Sequence, residues 1–599
     1  MKQGLEKFLG KRWMIFLLFL SVTYLFGTKS DRLYGWTRSA AKEATPVYSD
    51  AAGYYAFMPE WFIYEGNNFA FHDSIRDKYP NAGFEDGLDK NEDGTFRDKY
   101  YTGTAQCLTP FFLIGHAQAN WIGVDADGYT WPYIFWLNVG MGFYAMIGLI
   151  ALFLLLRRLK IDYFGCYIAV LSVALGTNFS YYVYVEIPYS HIFCFSMINL
   201  CLHQGLKWIQ ENKTKNLLFF GFLLGLCLMI RPTNALILCV LPFFFPSNKE
   251  FITRITALFK AWKTCLLMLV LLMLPVVIQV WFFYLQMGQI KLNSYTNEGF
   301  TNWNDPYFWE LLIGFRKGIF IYGPVLLLLI PGLIWMFFKN RRMFAGILIF
   351  ILLSTYVLSS WWCWWYGGSL GLRPMIDFYG IWVIPIAYLA HYSKIGGRIV
   401  ILLLVSVFIW VYQTYEFQKK RQILHYDNMT YGMWKQSFMQ TDPRFNFMFF
   451  SDIDTLPLNS VQVGPPVNFY DVNKPLVSGK IYGYKGENLF PEQPFAAKRI
   501  RVKELESFVG MRVTFKGYLN SEGENPVITT EYFKAGSSVA EKDMIIGPRF
   551  DEINAWRNIS VDIIPDRKWV EVDSVKCTLI VGKKSLQFKD LKLRIFKFN

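Results

Sequence analysis

A single carboxylate stands among aromatic residues in the run YSDAAGYY, which begins at Tyr48. At a membrane surface, a carboxylate such as Asp50 can accept a proton from the hydroxyl group of an acceptor molecule. Tyr54 and Tyr55 suit the membrane–water interface and are candidate pocket residues. An Asp before an apolar run is also a common start of a helix, so this run alone leaves Asp50 as either a general base or a helix cap.

A second acidic group, Glu186, lies in the run YYVYVEIPYSH, which begins at Tyr181. Pro188 interrupts a helix there, so Glu186 and His191 are expected in or near the membrane interface. Acidic side chains at that depth are costly and usually serve a function. We therefore take Glu186 as a second candidate catalytic group and His191 as a pocket residue. The other interpretation of Glu186 is a solvated loop acid.

Basic residues that could hold a phosphate group occur at several places outside these runs. Lys99 precedes the sequence YYTG, where it could bind phosphate at the level of the lipid headgroups or extend along the membrane as many lysines do. Tyr100, next to it, is a candidate pocket residue. Arg316 and Lys317 stand together before the sequence GIFIYGP. Arg231 begins the sequence RPTN, where it could also cap carbonyl groups that the proline leaves free.

Arg373 follows a tryptophan-rich run, WWCWWYGGSLGL, that begins at Trp361. An aromatic belt at the membrane surface explains the tryptophans without any further role. It does not explain the three glycines and the arginine, which indicate backbone held close to a ligand and an anionic partner for the guanidinium group. We take Arg373 as a phosphate-binding candidate and Trp365 as a pocket residue.

The usual motifs of soluble nucleotide-dependent and metal-dependent enzymes are missing from the sequence. It contains no Walker loop, no HExxH motif and no zinc-type spacing of cysteines. Residues 89–94 copy the first half of a calcium-binding loop, but the twelfth position is Tyr100 rather than the required Glu. We predict that no cofactor or metal is needed, with a divalent metal as a less favoured alternative.

The elements that must position these residues are membrane helices. Hydrophobic residues make up 53% of the chain and charged residues 18%, against about 25% charged residues in soluble proteins. This composition excludes a soluble enzyme, a disordered protein and a fibrous one. The apolar runs predict about eleven transmembrane helices, near residues 13–27, 132–156, 163–182, 190–206, 216–230, 233–246, 264–286, 319–338, 343–361, 376–392 and 399–415.

The net charge of +14 reflects membrane topology rather than nucleic-acid binding. Lys and Arg collect in short loops between the apolar runs, whereas residues 28–131 are rich in Asp and Glu. Such alternation is the positive-inside pattern. It predicts a protein of the bacterial inner (plasma) membrane with a cytoplasmic N-terminus, an external loop over residues 28–131, an extracytoplasmic C-terminal domain and no nucleic-acid partner.

The composition changes abruptly after residue 415, where charged residues return and apolar runs shorten to the length of strands. We predict a transmembrane domain over residues 1–415, a linker over 416–460 and a β-sandwich domain over 461–599. The expected strands are 461–469, 498–502, 511–519, 527–533, 558–564, 570–572, 577–581 and 591–598.

The order of these motifs resembles that of the GT-C glycosyltransferases, the polytopic superfamily that holds the protein O-mannosyltransferases, the lipid A aminoarabinose transferase and the oligosaccharyltransferases. The resemblance covers roughly residues 1–415 and implies a GT-C-like membrane fold. It rests on these segments in order: Ser49-Asp50, Tyr54-Tyr55, Lys99–Gly103, Asp127–Tyr129, Glu186, His191, Arg231–Asn234, Arg316–Gly318, Gly367-Gly368 and Arg373-Pro374.

The resemblance also implies roles for individual residues. Asp50 matches the first-loop acid at the catalytic centre of the family, and Glu186 matches the placement of a second-loop acid. Lys99 and Arg373 resemble residues that contact the phosphate of the donor. The usual pair of first-loop acids is reduced to one here, because two alanines follow Asp50, and this favours a metal-free base.

The function that the resemblance implies is an inverting transfer of a sugar from a polyprenyl-phosphate carrier to a glycan, lipid or protein acceptor at the extracytoplasmic face, in contact with membrane lipid. Three alternatives stay open: an oligosaccharyltransferase using a diphosphate-linked glycan, a transporter or flippase of lipid-linked sugars, and a non-enzymatic surface module that binds glycan. Transporters usually carry charges midway through their spans and show repeated halves. Here the charges stand at the ends of apolar runs and no repeat is visible.

Overall fold

The computed structural model describes residues 2–29, 47, 49–79, 88–90, 95–288, 290, 295, 298–427, 429–441, 460–468, 494–501, 508–519, 527–534, 537–545, 556–563, 574–580 and 586–598. The chain divides into two compact units, Met1–Gln413 and Thr414–Asn599. The boundary predicted from the sequence lies at residue 415.

The first unit is built of helices and short 3₁₀ segments. Its first ten helices are α1 (Lys2–Leu9), α2 (Arg12–Lys29), α3 (Asp50–Phe62), α4 (His72–Lys78), α5 (Gly103–Ile122), α6 (Trp131–Arg158), α7 (Tyr163–Gly176), α8 (Phe179–Tyr184), α9 (Ser190–Glu211) and α10 (Thr214–Ile230). Between α4 and α5, the strands β1 (Leu88–Lys90) and β2 (Phe96–Asp98) form a small antiparallel pair.

The later helices are α11 (Leu241–Phe244), α12 (Asn248–Lys260), α13 (Trp262–Met287), α14 (Phe308–Ile313), α15 (Ile319–Tyr322), α16 (Leu329–Lys339), α17 (Arg341–Ser359), α18 (Tyr379–Trp382), α19 (Ile384–Tyr392) and α20 (Ile395–Lys420), which runs into the second unit. Three 3₁₀ segments interrupt them, Pro232–Cys239, Pro324–Leu328 and Arg373–Phe378. Each begins at or beside a proline, which cannot donate a backbone hydrogen bond to continue the preceding helix.

Among the described residues, four helices are long and apolar enough to cross a membrane: α6, α13, α17 and α20. Two further bent pairs of helices raise the number to six if each pair is one span, and three shorter apolar helical segments accompany them. These helices confirm the prediction of an integral membrane protein. The predicted number of about eleven spans stays a prediction.

Small residues let the apolar helices approach one another closely. Gly221 and Gly225 of α10 face α13, and a Cβ atom on Gly225 would lie 2.1 Å from the carbonyl oxygen of Leu272. The GxxxG spacing in the sequence therefore marks a helix contact, as is common between membrane helices. Burial of the apolar faces of α6, α9 and α10 completes the core of this unit.

The second unit contains α21 (Tyr431–Ser437) and eight strands that form two antiparallel four-stranded sheets, ordered β3-β10-β5-β8 and β4-β9-β6-β7. The strands are β3 (Ser460–Asn468), β4 (Pro494–Arg501), β5 (Phe508–Leu519), β6 (Val527–Lys534), β7 (Ser537–Ile545), β8 (Trp556–Ile563), β9 (Ser574–Ile580) and β10 (Leu586–Phe598). The strands after residue 460 agree with the expectation from the sequence, and the sandwich arrangement stays a prediction.

One strand, β7, is missing from the sequence-based assignment. Its sequence SSVAEKDMI contains a central charged stretch instead of an apolar–polar alternation, and it lies at the edge of its sheet, paired only with β6. Edge strands commonly carry charged residues, so the alternation criterion missed it. The expected strand at 570–572 and part of the expected linker, residues 442–459, lie outside the described residues.

Candidate active site

Asp50 is the first residue of α3, and its carboxylate joins two distant parts of the chain. Arg373, which opens the third 3₁₀ segment, donates from Nη2 to Oδ2 of Asp50 at 2.5 Å. The hydroxyl of Tyr100, in the loop before α5, donates to Oδ1 at 2.8 Å. The side chains of Asp50 and Arg373 are 26% and 14% exposed, so the pair is largely enclosed and still reachable by a ligand.

The electrostatic surroundings keep this carboxylate ionised. Burial alone would raise the pKa of Asp50, but Arg373, the hydrogen bond from Tyr100, and the charges of Lys99 and His191 lower it further than burial raises it. The net pKa of Asp50 is therefore below its ordinary value. Asp50 is consequently an anion at neutral pH, able to accept a proton.

Two tyrosines line the same side of Asp50. Tyr54 follows Asp50 by one helical turn, and its ring lies against that of Tyr100 with centroids 4.5 Å apart. Burial first, and the charge of Asp50 second, raise the pKa of both phenols above the ordinary value. Both hydroxyl groups are therefore neutral and can donate hydrogen bonds.

Lys99 forms an ion pair beside this cluster. Its Nζ lies 2.7 Å from Oε1 of Glu298, and the two side chains are 19% and 29% exposed. Burial lowers the pKa of Lys99, but the hydrogen bond with Glu298 and the nearby acids raise it by more, so the net pKa is raised and Lys99 is a cation. It also lies over the ring of Tyr100, 5.5 Å from the centroid.

The loop that carries Lys99 and Tyr100 is held at both ends. Oδ1 of the buried Asp98 accepts a hydrogen bond from the backbone N–H of Tyr100 at 2.8 Å. Oε1 of Gln279, on α13, accepts one from the backbone N–H of Thr102 at 2.5 Å. At the start of α5, a Cβ atom on Gly103 would lie 2.3 Å from the carbonyl carbon of Met229. Only glycine allows the loop to approach the end of α10 this closely.

A cavity of about 270 Å³ opens beside Tyr54. Half of the residues in its walls are aromatic, and the walls also hold one cation and one acid; they include Tyr54, Tyr101, Arg231, Tyr295, Glu298 and Trp361. Aromatic faces with a few polar groups are the usual lining of small-molecule sites. The cavity therefore connects the carboxylate cluster with the Arg231 break and with the tryptophan-rich segment.

A second ion pair involves Arg231, which lines the cavity. Oδ2 of Asp377 is 3.6 Å from Nε of Arg231, and Oδ1 of Asp377 is 2.8 Å from Nδ1 of His191. Asp377 and His191 are each 1% exposed, and Arg231 is 22% exposed. Asp377 stands one turn after Arg373, so one short 3₁₀ segment supplies a cation to Asp50 and an anion to Arg231.

Sequence reasoning missed Asp377. The available signal was an acid four residues after Arg373 in the otherwise apolar stretch PMIDF, where an unpaired charge would be costly. The sequence predicts no partner for His191 or Arg231, because nothing in it shows that residues this far apart are in contact.

Arg316, Lys317 and Trp365 form a neighbouring arrangement around the glycine-rich segment. The guanidinium carbon of Arg316 lies 3.7 Å from the centroid of the Trp365 ring. Nζ of Lys317, a buried side chain, donates to the carbonyl oxygen of Ser369 at 2.6 Å. These contacts fix the backbone that leads to Arg373, and none of the three residues hydrogen-bonds or ion-pairs with Asp50 in the described part of the chain.

Glu186 and Tyr55 also lie apart from Asp50. Glu186 is buried, with Oε1 accepting a hydrogen bond from the Tyr181 hydroxyl at 3.1 Å; Oε2 is buried with no hydrogen-bond partner among the described residues. The Tyr55 hydroxyl donates to the carbonyl oxygen of Gly128. The structure thus brings together Asp50, Arg373, Tyr100, Tyr54 and Lys99, with His191 close behind.

Metal ligands are not clustered in the part of the chain that the structure describes. No group of three or more His, Cys, Asp or Glu side chains there is arranged to hold a metal ion.

No protein-family model matches the chain, and no curated protein sequence matches it. Among solved structures, the chain is similar to the arabinosyltransferase EmbB from Mycobacterium smegmatis, at 10% identity and a TM-score of 0.32, over 96% of this chain and 64% of that one. The chain spans less than two thirds of EmbB, and a likeness with this TM-score adds no support to a functional assignment.

Proposed function

We propose that the protein is an integral-membrane glycosyltransferase that moves a sugar from a polyprenyl-phosphate carrier to an acceptor hydroxyl at the extracytoplasmic face. The observation that carries this proposal is the ionised Asp50, enclosed between the Arg373 guanidinium and the Tyr100 hydroxyl beside an aromatic cavity. A base, several cations and a sugar-sized space are the parts that such a transfer needs.

In the proposed reaction, Asp50 accepts the proton of the acceptor hydroxyl as its oxygen attacks the anomeric carbon. The bond from that carbon to the phosphate oxygen breaks, and the polyprenyl phosphate leaves with the bonding electrons. Attack opposite the leaving group inverts the anomeric centre. Lys99 and Arg373 stabilise the phosphate oxygen as its charge grows. The carrier–sugar bond supplies the driving force.

Arg373 links donor binding to the strength of the base. In the structure, its charge is the strongest interaction that lowers the pKa of Asp50. A donor phosphate competes for the same guanidinium group, because arginine binds phosphate oxygens in a bidentate manner. Once the phosphate takes Arg373, the pKa of Asp50 rises and the carboxylate becomes a better proton acceptor. A donor-free enzyme therefore holds a weaker base.

The cavity favours one sugar over a whole glycan. Its volume of about 270 Å³ lies just below the usual range for ligand pockets, about 300–1,000 Å³. Aromatic rings such as Tyr295 and Trp361 can pack against the apolar face of a sugar ring, while Arg231 and Glu298 can hydrogen-bond its hydroxyl groups. This size favours the polyprenyl-phosphate sugar over the diphosphate-linked oligosaccharide.

The test is a reconstitution of the full chain in liposomes with radiolabelled polyprenyl-phosphate sugars and a panel of acceptors. The proposal expects a new glycosidic bond with inverted anomeric configuration, identified by NMR of the product. Movement of intact labelled carrier across the bilayer without any new bond would instead identify a transporter. Asp125→Asn, a change to an exposed external acid, is the matched control and should transfer at the wild-type rate.

A further inference from the structure

The helix α12 has an apolar face that the rest of the described protein covers only in part, since Phe251 packs against Phe245 while Ile252 and Phe259 are exposed. Within α12, no residue is buried, and the helix is bent by 116° from the preceding helical segment, Pro232–Phe244. Phe251, Ile252, Ile255, Leu258 and Phe259 have the spacing of one helix face. Two of them, Ile252 and Phe259, are 61% and 68% exposed.

Both ends of α12 are fixed where membrane spans begin. At its N-terminal end, Arg342 of α17 donates from Nε to the carbonyl oxygen of Phe245 and from Nη1 to Oδ1 of Asn248, each at 2.6 Å. At its C-terminal end, the chain enters α13 at Trp262, a 62% exposed tryptophan. Since α13 and α17 are both candidate spans, α12 runs along one surface of the membrane.

The charged side chains of α12 are almost all cationic. Lys249 and Lys260 lie on the side of the helix opposite the apolar face, and Glu250 is the only acid in the helix. Arg254, at the edge of the apolar face, brings the number of cations in the helix to three against one acid.

We infer that α12 binds the anionic phospholipids of the leaflet on the basic side of the protein. Its apolar face enters the boundary between headgroups and acyl chains, and its cations bind anionic headgroups. An apolar stripe combined with a cationic face is typical of helices that lie in the membrane interface, and each basic residue strengthens binding to an anionic surface. This inference does not depend on the proposed transferase reaction.

The experiment is hydrogen–deuterium exchange of the full chain in nanodiscs, made either of phosphatidylcholine alone or of phosphatidylcholine with phosphatidylglycerol. Each basic residue near an anionic surface contributes about fivefold to binding. In the anionic discs, the amides of residues 252–260 should therefore exchange up to about 25-fold faster in Lys249→Gln/Lys260→Gln than in the wild type. Arg254→Gln should act in the same direction, and high salt should reduce the difference.

The matched control is Arg76→Gln/Lys90→Gln, which removes two exposed cations from the external loop and should exchange like the wild type in both discs. The inference is overturned if wild type and Lys249→Gln/Lys260→Gln exchange equally in anionic discs. It is also overturned if α12 is equally protected in phosphatidylcholine alone. If protection of α12 rises with the number of protein copies per disc, a second copy of the chain and not the lipid covers the helix, and the inference is overturned.

Discussion

The hydrogen bond from Tyr100 to Asp50 sets the pH at which the proposed base loses its charge. Tyr100→Phe removes only the hydroxyl that donates to Oδ1 of Asp50 at 2.8 Å. This bond favours the ionised carboxylate, so its loss raises the pKa of Asp50. A rate that requires the ionised form then falls at a higher pH as the solution is acidified.

The size of the shift follows from the surroundings of the bond. A hydrogen bond to a charged group contributes about 1.5–3 kcal/mol, and one pKa unit corresponds to about 1.4 kcal/mol. Because the Asp50 side chain is 26% exposed, water can partly replace the lost hydroxyl. We therefore expect the lower end, an increase of about one pKa unit. Arg373, Lys99, His191, Tyr54 and Tyr295 surround Asp50 and stay in place.

The assay is the pH dependence of kcat/KM for the acceptor in proteoliposomes, between about pH 3 and pH 8. The acid limb should move to higher pH in Tyr100→Phe. Tyr64→Phe is the control, because its hydroxyl donates to the backbone carbonyl oxygen of Asp127 and not to Asp50. An acid limb that stays in place in Tyr100→Phe, or moves equally in both variants, refutes the assignment of Asp50 as the base.

Three further variants test the parts around Asp50. Arg373→Gln should raise KM for the donor about tenfold or more, because a charged phosphate contact is lost. KM for the acceptor should change little. Steady-state kinetics at varied donor and varied acceptor concentration measures the two constants. Asp377→Asn should lower the melting temperature and kcat/KM together, because it leaves the Arg231 charge without its counter-ion. The expected loss of stability is up to about 3 kcal/mol. Equal melting temperatures of the variant and the wild type would contradict this prediction. Gly103→Ala should destabilise the protein by about 1–3 kcal/mol through the contact with Met229, whereas Gly4→Ala, which has open space around it, should not; thermal unfolding in detergent compares the two.

Much of the candidate site could be predicted from local sequence. Asp50 and Arg373 both stand next to apolar or aromatic segments typical of the membrane surface, and the sequence therefore predicts that they meet at one membrane surface. The sequence also predicts which of the two tyrosines, Tyr54 or Tyr55, lies on the same helix face as Asp50. At about 100° per residue, Tyr54 lies about 40° around the helix from Asp50 and Tyr55 about 140°, so only Tyr54 shares the face of Asp50.

The remaining contacts depend on how distant segments pack, which composition and periodicity do not encode. The pairing of Glu298 with Lys99 joins residues 199 positions apart, and that of Asp377 with His191 joins residues 186 apart. The same limit explains why the sequence did not predict β7. Its charged sequence forms a strand because it pairs with β6. Local pattern identified the candidate base and its cation, and tertiary packing supplied the second ion pair.

The most direct test of the central claim is the turnover of Asp50→Asn, measured together with donor binding in the same proteoliposomes. Asparagine keeps the size of the side chain and removes its capacity to accept the acceptor's proton, which is worth about 10²–10⁴-fold in rate. The account predicts a loss of transfer of that size with donor affinity retained. Transfer by Asp50→Asn at the wild-type rate would contradict it.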